Sequence, residues 1–126
     1  MLVLPEDSDR SAEQLRVRIR EETGAEVAVI ISDSHGRAWR LGTVGVAIGV
    51  AGLLPLSDLR GQPDLSGRLL QTTDVGTADE LAAAAGLLMG QAAEGTPAVL
   101  VHGASFLAGD GRLIDLLRPK DKDMFR

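Results

Sequence analysis

The sequence predicts an α+β domain: a mixed sheet with a glycine-rich central segment, flanked by helices. Three features lead to that class. Residues 26–32 and 97–102 are short, apolar and rich in Val and Ile, as strands buried on both faces are. Residues 11–22 and 78–93 combine capping residues with helical spacing of their apolar positions. Residues 42–56 carry no charge and are broken by Gly42, Gly45, Gly49 and Gly52.

Composition bounds the rest. A chain of 126 residues is one domain or less, long enough for a core, and its 44% apolar content is ordinary for a globular protein. Aromatic residues make up only 2%, namely Trp39, Phe106 and Phe125, so Val, Ile, Leu and Ala must fill that core. Small side chains and 15 glycines imply close backbone packing or a partner that supplies bulk, and hence self-association. The net charge of −5 and the absence of a basic patch argue against nucleic acid. The chain has no cysteine, which excludes disulfides, thiolate zinc and a cysteine nucleophile. No basic, apolar leader opens the sequence, and the longest uncharged run, residues 41–57, falls short of the roughly 20 apolar residues of a membrane span. A soluble, cytoplasmic protein with no membrane partner is expected.

Each element has its own reason. Leu2, Val3 and Leu4, stopped by Pro5, resemble the tail of a strand. Ser11 with Gln14 forms a capping-box pattern for the first helix, whose Leu15 and Ile19 share a face, and Gly24 can close its C-terminus. Residues 26–32 follow as a central strand, which puts the polar residues 32–37 in a turn at its end. Four glycines disfavour a helix over residues 43–54, at nearly 1 kcal/mol each relative to alanine. A buried strand or hairpin that lets a backbone or ligand come close fits better. Residues 58–68 are dense in turn formers and read as a loop, and residues 69–75 as a strand. Thr77 and Glu80 suggest a capped helix over residues 78–93, with Leu81, Ala85, Leu88 and Met89 facing inward. Residues 97–102 are again a strand, and residues 112–117 a short helical segment stopped by Pro119. The tail from Lys120 to Asp123 is charged and solvated.

Few residues stand out chemically. His35 and His102 are isolated in sequence; His102, closing an apolar strand, reads as structural, and His35 as a loop residue. Asp33 and Asp74 each end a buried-looking strand, and Asp79 and Glu80 open the helix after Asp74. Strand-end carboxylates can converge on Mg²⁺ or Mn²⁺, which prefer oxygen ligands and share them with phosphates. Taken one at a time, the same residues read as turn formers, a cap, and a favourable charge at a helix N-terminus.

The quoted segments add up to more than any one motif. Leu-Pro-Glu-Asp (4–7), Ile-Ser-Asp-Ser-His-Gly-Arg-Ala-Trp-Arg (31–40), Gly-Val-Ala-Ile-Gly-Val-Ala-Gly-Leu (45–53), Asp-Leu-Arg-Gly-Gln-Pro-Asp-Leu-Ser-Gly-Arg (58–68), Ala-Asp-Glu-Leu-Ala-Ala-Ala-Ala (78–85) and Leu-Leu-Arg-Pro-Lys-Asp-Lys-Asp-Met-Phe-Arg (116–126) occur in order. Together they resemble the coenzyme F420 gamma-glutamyl ligase family across essentially the whole chain. The resemblance implies a GTP-dependent ligase that joins L-glutamate to coenzyme F420-0 through an acyl phosphate, with two divalent cations at the GTP phosphates. It places Asp33 and Asp74 as metal ligands, Asp74 standing where Glu is common, and puts His35 and Arg37 near the nucleotide. It implies no nucleophilic side chain and an intertwined dimer, with residues 45–52 at a subunit interface. The family is about twice as long, and residues 1–126 resemble its C-terminal portion. The guanine-recognition residues then belong to the missing N-terminal part. The alternative is a non-catalytic half-domain that dimerises or pairs with a separate nucleotide-binding chain.

Overall fold

The first helix starts where a carboxylate can take up an open N–H group. Asp7, in extended conformation, accepts from Arg10 N at 2.9 Å, and α1 runs over Ser8–Thr23. Ser11, expected as the cap, lies inside the helix, and its hydroxyl donates back to the Asp7 carbonyl at 3.0 Å. Gly24 closes α1 at φ 73°, a left-handed conformation that glycine adopts without a Cβ penalty. The structure, a computed structural model, describes residues 4–123; most of the expected N-terminal strand tail lies outside that range.

The centre of the fold is a long antiparallel hairpin, β1 (Val29–Arg37) with β2 (Arg40–Ala51). The expected strand therefore begins three residues late and continues through the residues read as a turn. Those residues stay extended because β2 supplies partners, Ser32 against Ala47 through Gly36 against Thr43. The actual turn is Ala38 and Trp39, with Trp39 at φ 57°. Between the pairs Ile31–Gly49 and Ser32–Ala47 the register shifts, leaving Ile48 as the extra residue of a bulge. The reading of residues 43–54 as a glycine-rich strand or hairpin holds.

Both helices pack mainly against β2. A Cβ on Gly45 would lie 2.6 Å from the Ala82 carbonyl oxygen, and one on Gly49 2.5 Å from the Ser8 carbonyl. Backbones this close leave room only for small side chains. So α2 (Thr77–Met89) buries Ala78 and Ala82, while Leu88, expected inside, is 68% exposed. Each helix also fastens β2 with a carboxylate from its first turn. Asp9 accepts from Val50 N at 2.9 Å, and Asp79 from Ala47 N at 2.9 Å. Asp9 accepts as well from Leu113 N, at 3.1 and 3.2 Å, drawing in the 3₁₀ turn Leu113–Leu116.

The core is a cluster of Ala47, Val50, Leu53 and Ala78, with Ile30, Leu81 and Leu116 packed against it. Among the described residues no aromatic belongs to this cluster, in keeping with an aromatic content of 2%.

The α+β class stands, but the sheet is not a single mixed one. A second two-stranded antiparallel sheet joins β3 (Ser57–Asp58) to β4 (Asp74–Val75). Between them an irregular hairpin turns at Asp64, whose carboxylate accepts from Ser66 N and Arg68 N at 2.8 and 2.9 Å. Of the strand expected over residues 69–75, only Asp74 and Val75 belong to one, because β3 offers two residues to pair with. Thr77 does not cap α2: its hydroxyl bonds Ser57 Oγ at 2.7 Å, and Gly76 holds the cap position. The helix stops at Met89 rather than 93, where Gly90 turns to φ 74°.

The strand expected over residues 97–102 is absent, and His102 is exposed instead of closing it. Among the described residues no backbone comes alongside to pair with it. The whole chain exposes 9688 Å², against about 6,400 Å² for a folded monomer of this mass. No helix among the described residues is long and apolar enough to cross a membrane.

Candidate functional site

Just past the bulge, β1 changes character, from the half-buried Val29, Ile30 and Ile31 to the exposed Asp33 and His35. Asp33 keeps its carboxylate at the surface, where one oxygen accepts from Ser34 N at 2.7 Å. Beside it a cleft of about 170 Å³ runs between Ser32, Asp33, Ser34 and Gly45 on the hairpin and the stretch of α2 from Ala82 to Met89. The small Gly45, Ala82 and Gly86 open this space, and the half-buried Met89 lines it rather than filling the core. A larger hollow of about 530 Å³ lies along one flank of α1, and among the described residues it is bounded by that helix alone.

The other expected residues are spread out. His35, opposite Val44, shares a face of β1 with Asp33 by strand alternation. Arg37 pairs with Arg40 at the exposed tip of the hairpin. Asp74 lies on β4, in the other sheet, so the two carboxylates do not close strands of one sheet.

Asp74 has neighbours that sequence reasoning missed. Asp58 stands directly across from it on β3. Arg60 reaches Asp58 at 2.8 and 2.5 Å and Asp74 at 3.8 Å, a guanidinium set between two facing carboxylates that would otherwise repel. The Asp-x-Arg spacing in residues 58–60 is the only signal for it in the sequence. Hydrogen bonds from the Arg60 side chain, and then from its backbone N–H, hold Asp58 down at about 2 against an ordinary 3.8. A depressed carboxylate adds stability above its unfolded value and loses it as pH falls through about 2. An NMR titration of Asp58 is expected to give that midpoint, and Arg60→Ala to return it towards 3.8. Equal midpoints would remove Arg60 as the cause.

Asp79 lies in the first turn of α2, as expected of a helix-start charge, and in addition fastens β2. Among the described residues, no three His, Asp or Glu side chains gather as a metal cluster. Asp33 nevertheless suits a hard cation, being an exposed oxygen donor beside a cleft. Mg²⁺ commonly takes one or two carboxylates and completes its shell with water and phosphate oxygens. Asp74 is also an oxygen donor, 41% exposed, but a cation there would have to share it with Arg60.

A family model described as F420-0:Gamma-glutamyl ligase matches residues 1–103. The chain belongs to that family. It is similar to the coenzyme F420:L-glutamate ligase of Methanothermobacter thermautotrophicus, 56% identical over 125 residues, covering 98% of this chain and 50% of the relative. The ligase of Methanocaldococcus jannaschii is 52% identical over 124 residues, with the same two shares. That of Methanococcus maripaludis strain C7 is 50% identical over 123 residues, again covering 98% and 50%. The chain thus spans about half the length of the curated ligases it matches. The family match takes in the hairpin, the cleft, Asp33, Asp74 and α2 together.

Proposed function

We propose that the chain supplies one half of a coenzyme F420-0:L-glutamate ligase, with GTP as co-substrate and Mg²⁺ or Mn²⁺ at the phosphates. Similarity of about half of all residues along nearly the whole chain supports this reading. The complete unit works in the cytoplasm and pairs as a homodimer.

Amide formation from a carboxylate needs a better leaving group than oxide. In the reaction we propose, a carboxylate oxygen of F420-0 attacks the γ-phosphorus of GTP, and GDP leaves. The glutamate amine then attacks the acyl carbon, phosphate departs, and the amine loses its proton. Catalysis of this kind rests on positioning and charge, not on a side-chain nucleophile. A bound cation would supply charge neutralisation at the transferring phosphoryl group. From this chain, Asp33 and Asp74 are the carboxylates offered to it. His35, on the face of β1 that carries Asp33, and Arg37 at the tip are offered to the nucleotide.

The test combines this chain with the unmatched half of the M. thermautotrophicus ligase, F420-0, glutamate, GTP and Mn²⁺. GDP release with a glutamylated product is expected. Asp33→Asn should weaken metal-dependent GTP binding by about tenfold or more, the loss that even changes around a metal's direct ligands bring, with the thermal melt unchanged. Glu22→Gln, on the exposed outer face of α1, is the control. No turnover with both halves present would leave the half-domain as an interaction module, and equal binding by both variants would remove Asp33 from the site.

A further inference from the structure

Residues 97–101, Pro-Ala-Val-Leu-Val, have the composition of a buried strand and none of its surroundings. From Gly95 to Phe106, no backbone N–H or carbonyl makes a hydrogen bond within the chain. Leu100 is 80% and Val101 44% exposed. Unpaired apolar strands invite another strand, since main-chain bonds and side-chain burial are both available at once.

The size of the uncovered surface indicates what covers it. A folded protein of twice this mass exposes about 10,600 Å², or roughly 5,300 Å² per half. This chain exposes 9688 Å², so about 4,400 Å² of it would be covered in such a protein. A second copy at a standard interface covers only about 800 Å² per partner, and even a large obligate one about 1,000–2,500 Å². The excess is that of a domain divided through its core, and the matching ligases are twice as long as the matched segment.

We infer that residues 97–101 form a strand by pairing with a strand of the polypeptide corresponding to the remaining half of these ligases. The inference rests on the reading of the chain as half of a ligase. Exposed Leu87 and Leu88 of α2 offer the same partner further apolar area.

Hydrogen–deuterium exchange of this chain, alone and co-purified with the unmatched half of the M. thermautotrophicus ligase, tests it. The amides of Val99, Leu100 and Val101 are expected to slow at least 100-fold in the complex. Leu100→Pro, which removes an N–H donor, should weaken the complex at least tenfold. The melt of the isolated chain should be unchanged, because residue 100 makes no hydrogen bond there. Unchanged exchange in the complex overturns the inference, as does failure of the two halves to associate. Slowing in the chain alone that grows with its concentration also overturns it, by assigning the strand to a second copy. Ligation without slowed exchange defeats this docking and spares the proposed activity. Slowed exchange without ligation does the reverse.

Discussion

Gly49→Val is expected to cost more than about 3 kcal/mol, at the upper end of what overpacking brings, and so to remove much of a small domain's stability of about 5–15 kcal/mol. The added Cβ would fall 2.5 Å from the carbonyl carbon and oxygen of Ser8. Those are backbone atoms at the start of α1, so no rotamer can swing away. The helix must shift bodily, pulling Asp9 from its bonds to Val50 and Leu113. Gly36→Ala is the matched control, since nothing lies within 4 Å of a Cβ there, and a change within about 0.5 kcal/mol is expected. Urea denaturation of both variants decides it, and similar midpoints would mean that the close approach of α1 and β2 carries no energetic weight.

Asp9→Ala is the second large effect. It deprives the part-buried N–H groups of Val50 and Leu113 of their acceptor. Each unsatisfied donor costs about 1–3 kcal/mol, so a loss of about 2–6 kcal/mol is expected. Asp9→Asn keeps one carbonyl oxygen and should lose less. A loss below about 0.5 kcal/mol for Asp9→Ala, the range of surface substitutions, would show that water replaces the carboxylate. This effect and that of Gly49→Val will not add, because both act on one joint.

How much could be read in advance depends on whether the deciding contact is local. Gly24, the two helices, and the glycine-rich strand were legible because capping, spacing and tolerance of close backbones are written into neighbouring residues. The two expected caps were misplaced because each side chain is engaged elsewhere: Ser11 bonds back to the Asp7 carbonyl from inside its helix, and Thr77 is taken by Ser57. Asp33 was legible as a candidate carboxylate after an apolar run, though it lies within β1 and not at a strand end. That Asp74 sits in a different sheet, facing Asp58 across Arg60, was not, since strand pairing over an intervening loop leaves little trace in residue order. The apolar run at residues 97–101 shows the opposite case. Its local preference for a strand is plain, yet among the described residues no backbone pairs with it.

The carboxylate of Asp9 joins residues 104 positions apart. That contact closes a loop of nearly the whole chain, whereas the β1–β2 hairpin closes across two residues at its tip. Loop closure grows costlier with length, so the hairpin can zip early and the clasp at Leu113 must come late. On the ribosome, at about 5–20 residues per second, α1 waits for several seconds with this acceptor only half used. A late-forming contact governs how long the native state lasts more than how fast it is reached. The Asp9–Leu113 contact is thus a latch on the lifetime of the fold: losing that contact alone should hasten unfolding and leave the rate of folding almost untouched.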